Sequence, residues 1–152
     1  MIKQLLLKLV VSLFLIGASA VYSNFNVYGA EEQNVIEANT ELQFGYGELS
    51  KGKTDEAIVS FNKVVSLDAN NSPAYIGLGN AYAQKGKTDE AIASFNKAIS
   101  LDAKNIYAYY ALGSVYVSLE EKDLALEQYD ILKGLDKDLA KQLYEQIKTQ
   151  II

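Results

Sequence analysis

Any chemistry in this chain falls to Asp, Glu, Lys, Tyr and Ser, because its 152 residues include no Cys, His, Trp or Arg. Without Cys and His the usual zinc and copper ligands are missing. Histidine triads and thiolate nucleophiles are excluded with them. Without Arg there is no fork to grip phosphate or carboxylate in bidentate fashion. Two acidic pairs, Glu31-Glu32 and Glu120-Glu121, have the residue type for general acid–base work, but both read as solvated turns. The string GKTDEA, at 52–57 and 86–91, superficially resembles a phosphate-binding loop. It lacks the first glycine and the preceding strand that such a loop needs. The residue types therefore point to a non-enzymatic chain with no metal and no cofactor.

That same string belongs to the longest repeated text in the sequence. KGKTDEAIVSFNKVVSLDA at 51–69 returns as KGKTDEAIASFNKAISLDA at 85–103, an offset of 34 residues with 16 of 19 positions identical. A fixed period in the range of 20–50 residues marks a solenoid of stacked supersecondary units. Gly52 and Gly86 suit the left-handed residue that ends a helix, so GKTDEA reads as a hinge followed by a helix start. Thr54 and Thr88 are the expected caps, with Asp55, Glu56, Asp89 and Glu90 in first turns where the helix dipole favours anions.

The elements follow from the spacing of apolar residues. Asn34 to Glu37 has capping-box spacing and opens a helix whose periodicity runs through Leu42, Phe44, Gly45 and Leu49. Ala57, Ile58, Phe61, Val64 and Val65 make the stripe of its partner. Ser72 is the expected cap of the next helix, with Pro73 in its first position and Tyr75, Leu78, Gly79 and Tyr82 on one face. Ala91, Ile92, Phe95, Ala98 and Ile99 line its partner. A third unit repeats the order with Tyr109, Leu112, Gly113 and Tyr116, then Ala125, Tyr129 and Leu132. Its hinge carries Glu120 where the others carry glycine, which requires another turn geometry or a left-handed penalty. Leu139, Leu143 and Ile147 make one side of a last helix, a lid for the final repeat. The expected boundaries are 34–71, 72–105 and 106–139 for the units and 138–152 for the capping helix.

The first twenty residues differ in kind. A start with two lysines, an apolar run over Leu9–Ile16 and the small residues Ala18-Ser19-Ala20 form a secretory signal, with cleavage after Ala20 or near 29–30. Residues 21–33 read as a linker. The expected location is outside the cell or in the cell envelope or periplasm. The alternative is an uncleaved membrane anchor over residues 5–22, which falls short of the roughly 20 apolar residues of a span. Beyond the leader, 12 lysines face 19 acids, a net charge of −7. That balance disfavours nucleic acid and anionic lipid, leaving a protein or peptide as partner and no membrane contact except through the leader.

These units resemble tetratricopeptide repeats. The 34-residue period matches, as does the order Tyr75, Leu78, Gly79, Tyr82, Ala91, Phe95 and Ala98. The first unit departs from it, with Glu41 and Glu48 at two aromatic positions, which weakens its first helix. The proline usual after Leu-Asp is replaced by Ala69, Ala103 and Lys137. The resemblance covers residues 38–139 and implies an all-α, right-handed helix–turn–helix solenoid of three repeats with a C-terminal capping helix. It also implies a concave groove lined by a second stripe on each first helix. Carried over, that groove is Leu42, Tyr46 and Leu49, then Ile76, Asn80 and Ala83, then Tyr110, Ser114 and Val117, with Tyr107 flanking it. One use of the fold clamps a peptide carboxylate with Lys, Arg and Asn, and only Asn80 matches that pattern here. The uncharged groove suits an apolar or aromatic segment instead. The alternatives are a groove filled by the chain's own tail or last helix, and a structural subunit of an envelope complex that self-associates as a homo-oligomer.

Overall fold

The computed structural model describes residues 31–149. The signal and most of the linker lie outside the described residues. The chain divides into two units, 1–37 and 38–152. Of the first, the described part, 31–37, is helical. The second unit is the solenoid.

Among the described residues there are seven helices and no strand. Helix α1 covers 31–50. It is followed by α2 (Thr54–Leu67), α3 (Ser72–Gln84), α4 (Thr88–Leu101), α5 (Ile106–Ser118), α6 (Lys122–Leu135) and α7 (Lys137–Thr149). The all-α repeat architecture expected from the period is the one observed. Helix α1 is already helical at Glu31, upstream of the Asn34 start expected from the capping box.

The hinges are built alike. Gly52 and Gly86 take φ of 76° and 71°, and Glu120 takes 62°. Lys53 N donates to Glu48 O, Lys87 N to Tyr82 O and Glu121 N to Tyr116 O, at 2.9–3.0 Å. Gly52, Gly86 and Glu120 each donate three residues back. This is the pair of bonds that closes a helix on a left-handed residue. The third hinge therefore keeps the geometry and carries the penalty of a side chain there.

The caps differ from the expected ones by one residue. Asn71, not Ser72, caps α3 by accepting from Ala74 N, and Asn105 does the same for α5 with Ala108 N, both at 3.1 Å. Ser72 is thereby freed to donate to Ala98 O, tying α3 to the end of α4. Thr54 and Thr88 are the first residues of their helices, and neither α2 nor α4 has a side-chain cap. Asp68, Asp102 and Asp136 end α2, α4 and α6 in extended conformation, and each accepts a bond from the backbone N–H two residues on. These short aspartate turns do the work of the missing proline. Asp136 also accepts from Leu139 N, so one residue both ends α6 and opens α7. The loop between helix pairs shrinks, and α7 starts three residues earlier than the 34-residue period requires.

Two phenylalanines set the packing. Phe61 and Phe95 are fully buried. A Cβ on Gly45 would lie 2.7 Å from the Phe61 ring, and one on Gly77 would lie 2.5 Å from it. Phe61 is thus held between the first helices of its own repeat and the next. A Cβ on Gly79 would lie 2.5 Å from Phe95. In the third repeat Leu143 of α7 fills the space beside Gly113, and Tyr129 turns instead toward Tyr144, with ring centroids 5.2 Å apart. The lid expected of α7 is built this way, with Ala140, Leu143 and Ile147 buried on the α5–α6 pair.

Phe44 departs from expectation, being 54% exposed. Its counterpart Leu78 packs with Leu49, Ala57 and Phe61 of the preceding repeat, and among the described residues no repeat precedes α1. Glu41 and Glu48 are not simple losses either. Lys63 donates to Glu41 at 2.7 Å, whereas its counterpart Lys97 lies over the Tyr75 ring at 5.9 Å. Lys51 and Lys53 bind Glu48 at 2.7 and 3.2 Å, whereas Lys87, the counterpart of Lys53, lies over Tyr82 at 5.8 Å. A lysine attracts a carboxylate or an aromatic face, so the same two positions serve both repeats.

Candidate functional site: the inner row of helices

Curvature is read from which helices touch. Helix α3 meets α5 and α5 meets α7, with Cα atoms within 8 Å, while α2, α4 and α6 make no such approach to one another. The row whose members approach is the inner side of a curved stack. The first helices therefore line the concave face, and the groove residues belong to that row.

The structure sorts the expected groove residues by access. Leu49, Ile76 and Val117 are 8%, 8% and 9% exposed and belong to the cores between helices. They shape the wall and offer a ligand little surface. Leu42 is half-buried against Val64 and Ala74. Tyr46 is half-buried too, edge-on to Phe61 at 5.0 Å, and its hydroxyl donates to Pro73 O at 2.7 Å. Burial pushes that phenol above its ordinary pKa. Asn80 is partly open and Ala83 is exposed. Tyr107 is 64% exposed. Tyr110 is half-buried, and its hydroxyl accepts from Gln146 Nε2 of α7 at 2.7 Å. The Ser114 hydroxyl oxygen is buried and has no hydrogen-bond partner among the described residues. The accessible surface thus concentrates on Asn80, Ala83, Tyr107 and Tyr110.

A cavity of about 700 Å³ adjoins that surface, lined by Tyr110, Asp138, Lys141, Gln142, Glu145 and Gln146. Five of these six come from α7, which the sequence presents as a lid or as a filler of the groove and not as part of its wall. The signal was the capping aspartate. Once Asp136 is aligned with Asn105, a shift of 31 residues, Asp138, Lys141 and Glu145 fall on the positions of Tyr107, Tyr110 and Ser114. The groove wall is uncharged through three repeats and charged at its end.

Elsewhere on α1 the electrostatics are local. The Lys63 amine holds the Glu41 carboxyl below its usual range, and Lys51 with Lys53 does the same for Glu48.

Comparison with known proteins agrees with this geometry. The family described as TPR repeat matches residues 45–86 and 79–120, half of the chain. The protein belongs to the tetratricopeptide repeat family. Its fold is similar to the Arabidopsis OM64 TPR domain, with TM-score 0.71 and 18% identity over 77% of this chain and 98% of that one. It is also similar to the TPR2B domain of yeast Sti1, solved as a complex with pHsp70, with TM-score 0.70 and 23% identity over 76% and 98% of the two chains. A third is the Yersinia enterocolitica type III secretion chaperone SycD, solved with a peptide of the translocator YopD, with TM-score 0.68 and 19% identity over 73% and 89%. At these identities the likeness concerns the fold. No curated protein matches the sequence.

Proposed function

We propose that this protein is an exported, non-catalytic interaction module that binds an apolar or aromatic peptide segment along its inner helices. The observation that carries this reading is the uncharged, accessible strip of Asn80, Ala83, Tyr107 and Tyr110 on the concave row. Exposed tyrosine offers a ligand a large contact area at low entropic cost. Asn80 has donors and an acceptor for a peptide backbone. Similar folds solved with pHsp70 and with a translocator peptide support peptide binding as the class of activity. The positions that clamp a carboxylate elsewhere are Leu42 and Tyr46 here, which favours the apolar reading.

The experiment is a selection from a random peptide library, followed by anisotropy titration of the enriched peptides. Enriched sequences should be apolar or aromatic, and Tyr107→Ala and Asn80→Ala should each weaken binding about tenfold, the effect of losing an interface anchor of about 1.4 kcal/mol. Enrichment of charged peptides, or full binding by both variants, contradicts the proposal. Ile76→Asp is a poor probe, since Ile76 lies in the core with Phe95 and Leu112.

Export is proposed from residues 1–20 alone. The mature protein should begin at Val21 and be found outside the cytoplasm. An intact Met1 in the cytoplasm would overturn it.

A further inference from the structure

The open face of α7 carries charges in an unusual order. Asp138, Lys141, Glu145 and Lys148 are all exposed and spaced by three, four and three residues. That is the spacing of a helix–helix seam, with charges at the positions such a seam normally fills with apolar side chains. The signs alternate along it, minus, plus, minus, plus. Lys148 pairs with Glu145 at 3.0 Å, but among the described residues no ion pair engages Lys141 or the Asp138 carboxylate. The corresponding positions of the other first helices are uncharged, so the pattern is particular to α7. The cavity beside Tyr110 leaves this face open.

In a seam between antiparallel helices each first-type position faces a second-type position of the other helix. Lay α7 against a copy of itself about a two-fold axis level with Leu143. Asp138 then faces the partner's Lys148, and Lys141 faces the partner's Glu145. The two remaining contacts are their symmetry mates. Every layer pairs opposite charges, which a parallel arrangement of the same helices cannot do, since it sets each charge against its like. We propose that α7 is a self-complementary docking face, and that its occupant is α7 of a second copy of this chain, antiparallel and related by a two-fold axis.

The contact is small. Thirteen residues of helix span roughly 20 Å. That places the interface among weak ones burying less than about 1,200 Å² in total. Its strength comes from exposed charge, so salt must loosen it. Self-association through α7 stands or falls separately from peptide binding at Asn80 and Tyr107, because the two are measured by different experiments on different residues.

The test is sedimentation velocity of the full chain from about 10 μM to about 1 mM at low salt, a range suited to weak contacts. Wild type should show a monomer–dimer equilibrium that weakens as salt rises. Lys141→Glu and Glu145→Lys are surface changes, checked for helicity by circular dichroism. Each alone should lose at least about tenfold in self-association, because like charges then oppose across the axis. An equimolar mixture of the two variants should recover association. In the mixed dimer the two substituted side chains face each other with opposite signs, and the native Lys141–Glu145 layer is restored across the axis. A wild type that stays monomeric throughout, single variants that associate like wild type, or a mixture no tighter than either variant alone would each overturn the proposal.

Discussion

Adding one methyl group at Gly79 should destabilise the fold, whereas the same change at Gly47 should stabilise it. Both glycines sit in first helices, so both gain the roughly 1 kcal/mol by which Ala is favoured over Gly in a helix. Nothing lies within 4 Å of a Cβ at Gly47. A Cβ at Gly79 meets three atoms of the Phe95 ring at 2.5–2.7 Å. Phe95 is 1% exposed and packed on Ala91 and Leu112, so it has nowhere to move. Overpacking of this kind costs about 1–3 kcal/mol. The helix term cancels between the two variants, and the difference measures the packing term alone. Gly79→Ala should melt roughly 4–12 °C below Gly47→Ala, taking about 4 °C per kcal/mol for a domain of this size. Gly113→Ala should fall between them, because its tightest contact is a terminal methyl of Leu143, which a small rotation displaces more readily than an aromatic ring. Thermal and urea unfolding followed by circular dichroism gives the order. A Gly79→Ala protein as stable as Gly47→Ala would refute the close approach of α3 to Phe95.

Glu120→Gly should raise stability by about 1 kcal/mol, removing the left-handed penalty at φ 62°, and Gly86→Ala should lower it by a similar amount, both read by urea midpoint. Acid should loosen the first repeat. The Glu41 and Glu48 carboxyls are held below their ordinary value of 4.5, so their contribution is complete above that pH and is lost as pH falls through the lower folded values. Glu48→Gln should reduce stability at pH 7 and flatten its decline toward about pH 3, and an unchanged pH profile would show that the Lys51 and Lys53 contacts are idle. Tyr107→Ala should leave the melting temperature within about 2 °C of wild type, the range of a neutral surface change, while weakening peptide capture. A large fall in stability would make Tyr107 a structural residue.

Much of the frame was legible because the repeat prints it twice. The hinge, the paired stripes and the buried Phe61 and Phe95 all follow from KGKTDEAI and what surrounds it. The caps were not, because Asn71-Ser72 offers two capping residues side by side, and only the geometry gives the bond to Asn71 and turns Ser72 toward Ala98. Phe44 reads as core by its spacing. Its exposure depends on the lack of a preceding repeat among the described residues, a fact of position that spacing does not carry. Glu41 and Glu48 read as defects until Lys63 and Lys53 are seen to reach them. Of the groove, the stripe was legible but its accessibility was not. Ile76 and Val117 share the helical phase of Asn80 and Ser114, and the approach of neighbouring helices buries them. The contribution of α7 was hidden by Asp136, which shortens a loop and shifts the register by three residues.

Mapping a selected peptide onto the isotopically labelled protein by amide chemical shifts tests the groove most directly. The expected shifts concentrate on Asn80, Ala83, Tyr107 and Tyr110, and leave Val59 and Ala93 on the outer helices unmoved. Shifts centred on Val59, Ala93 and their neighbours would contradict a concave binding site.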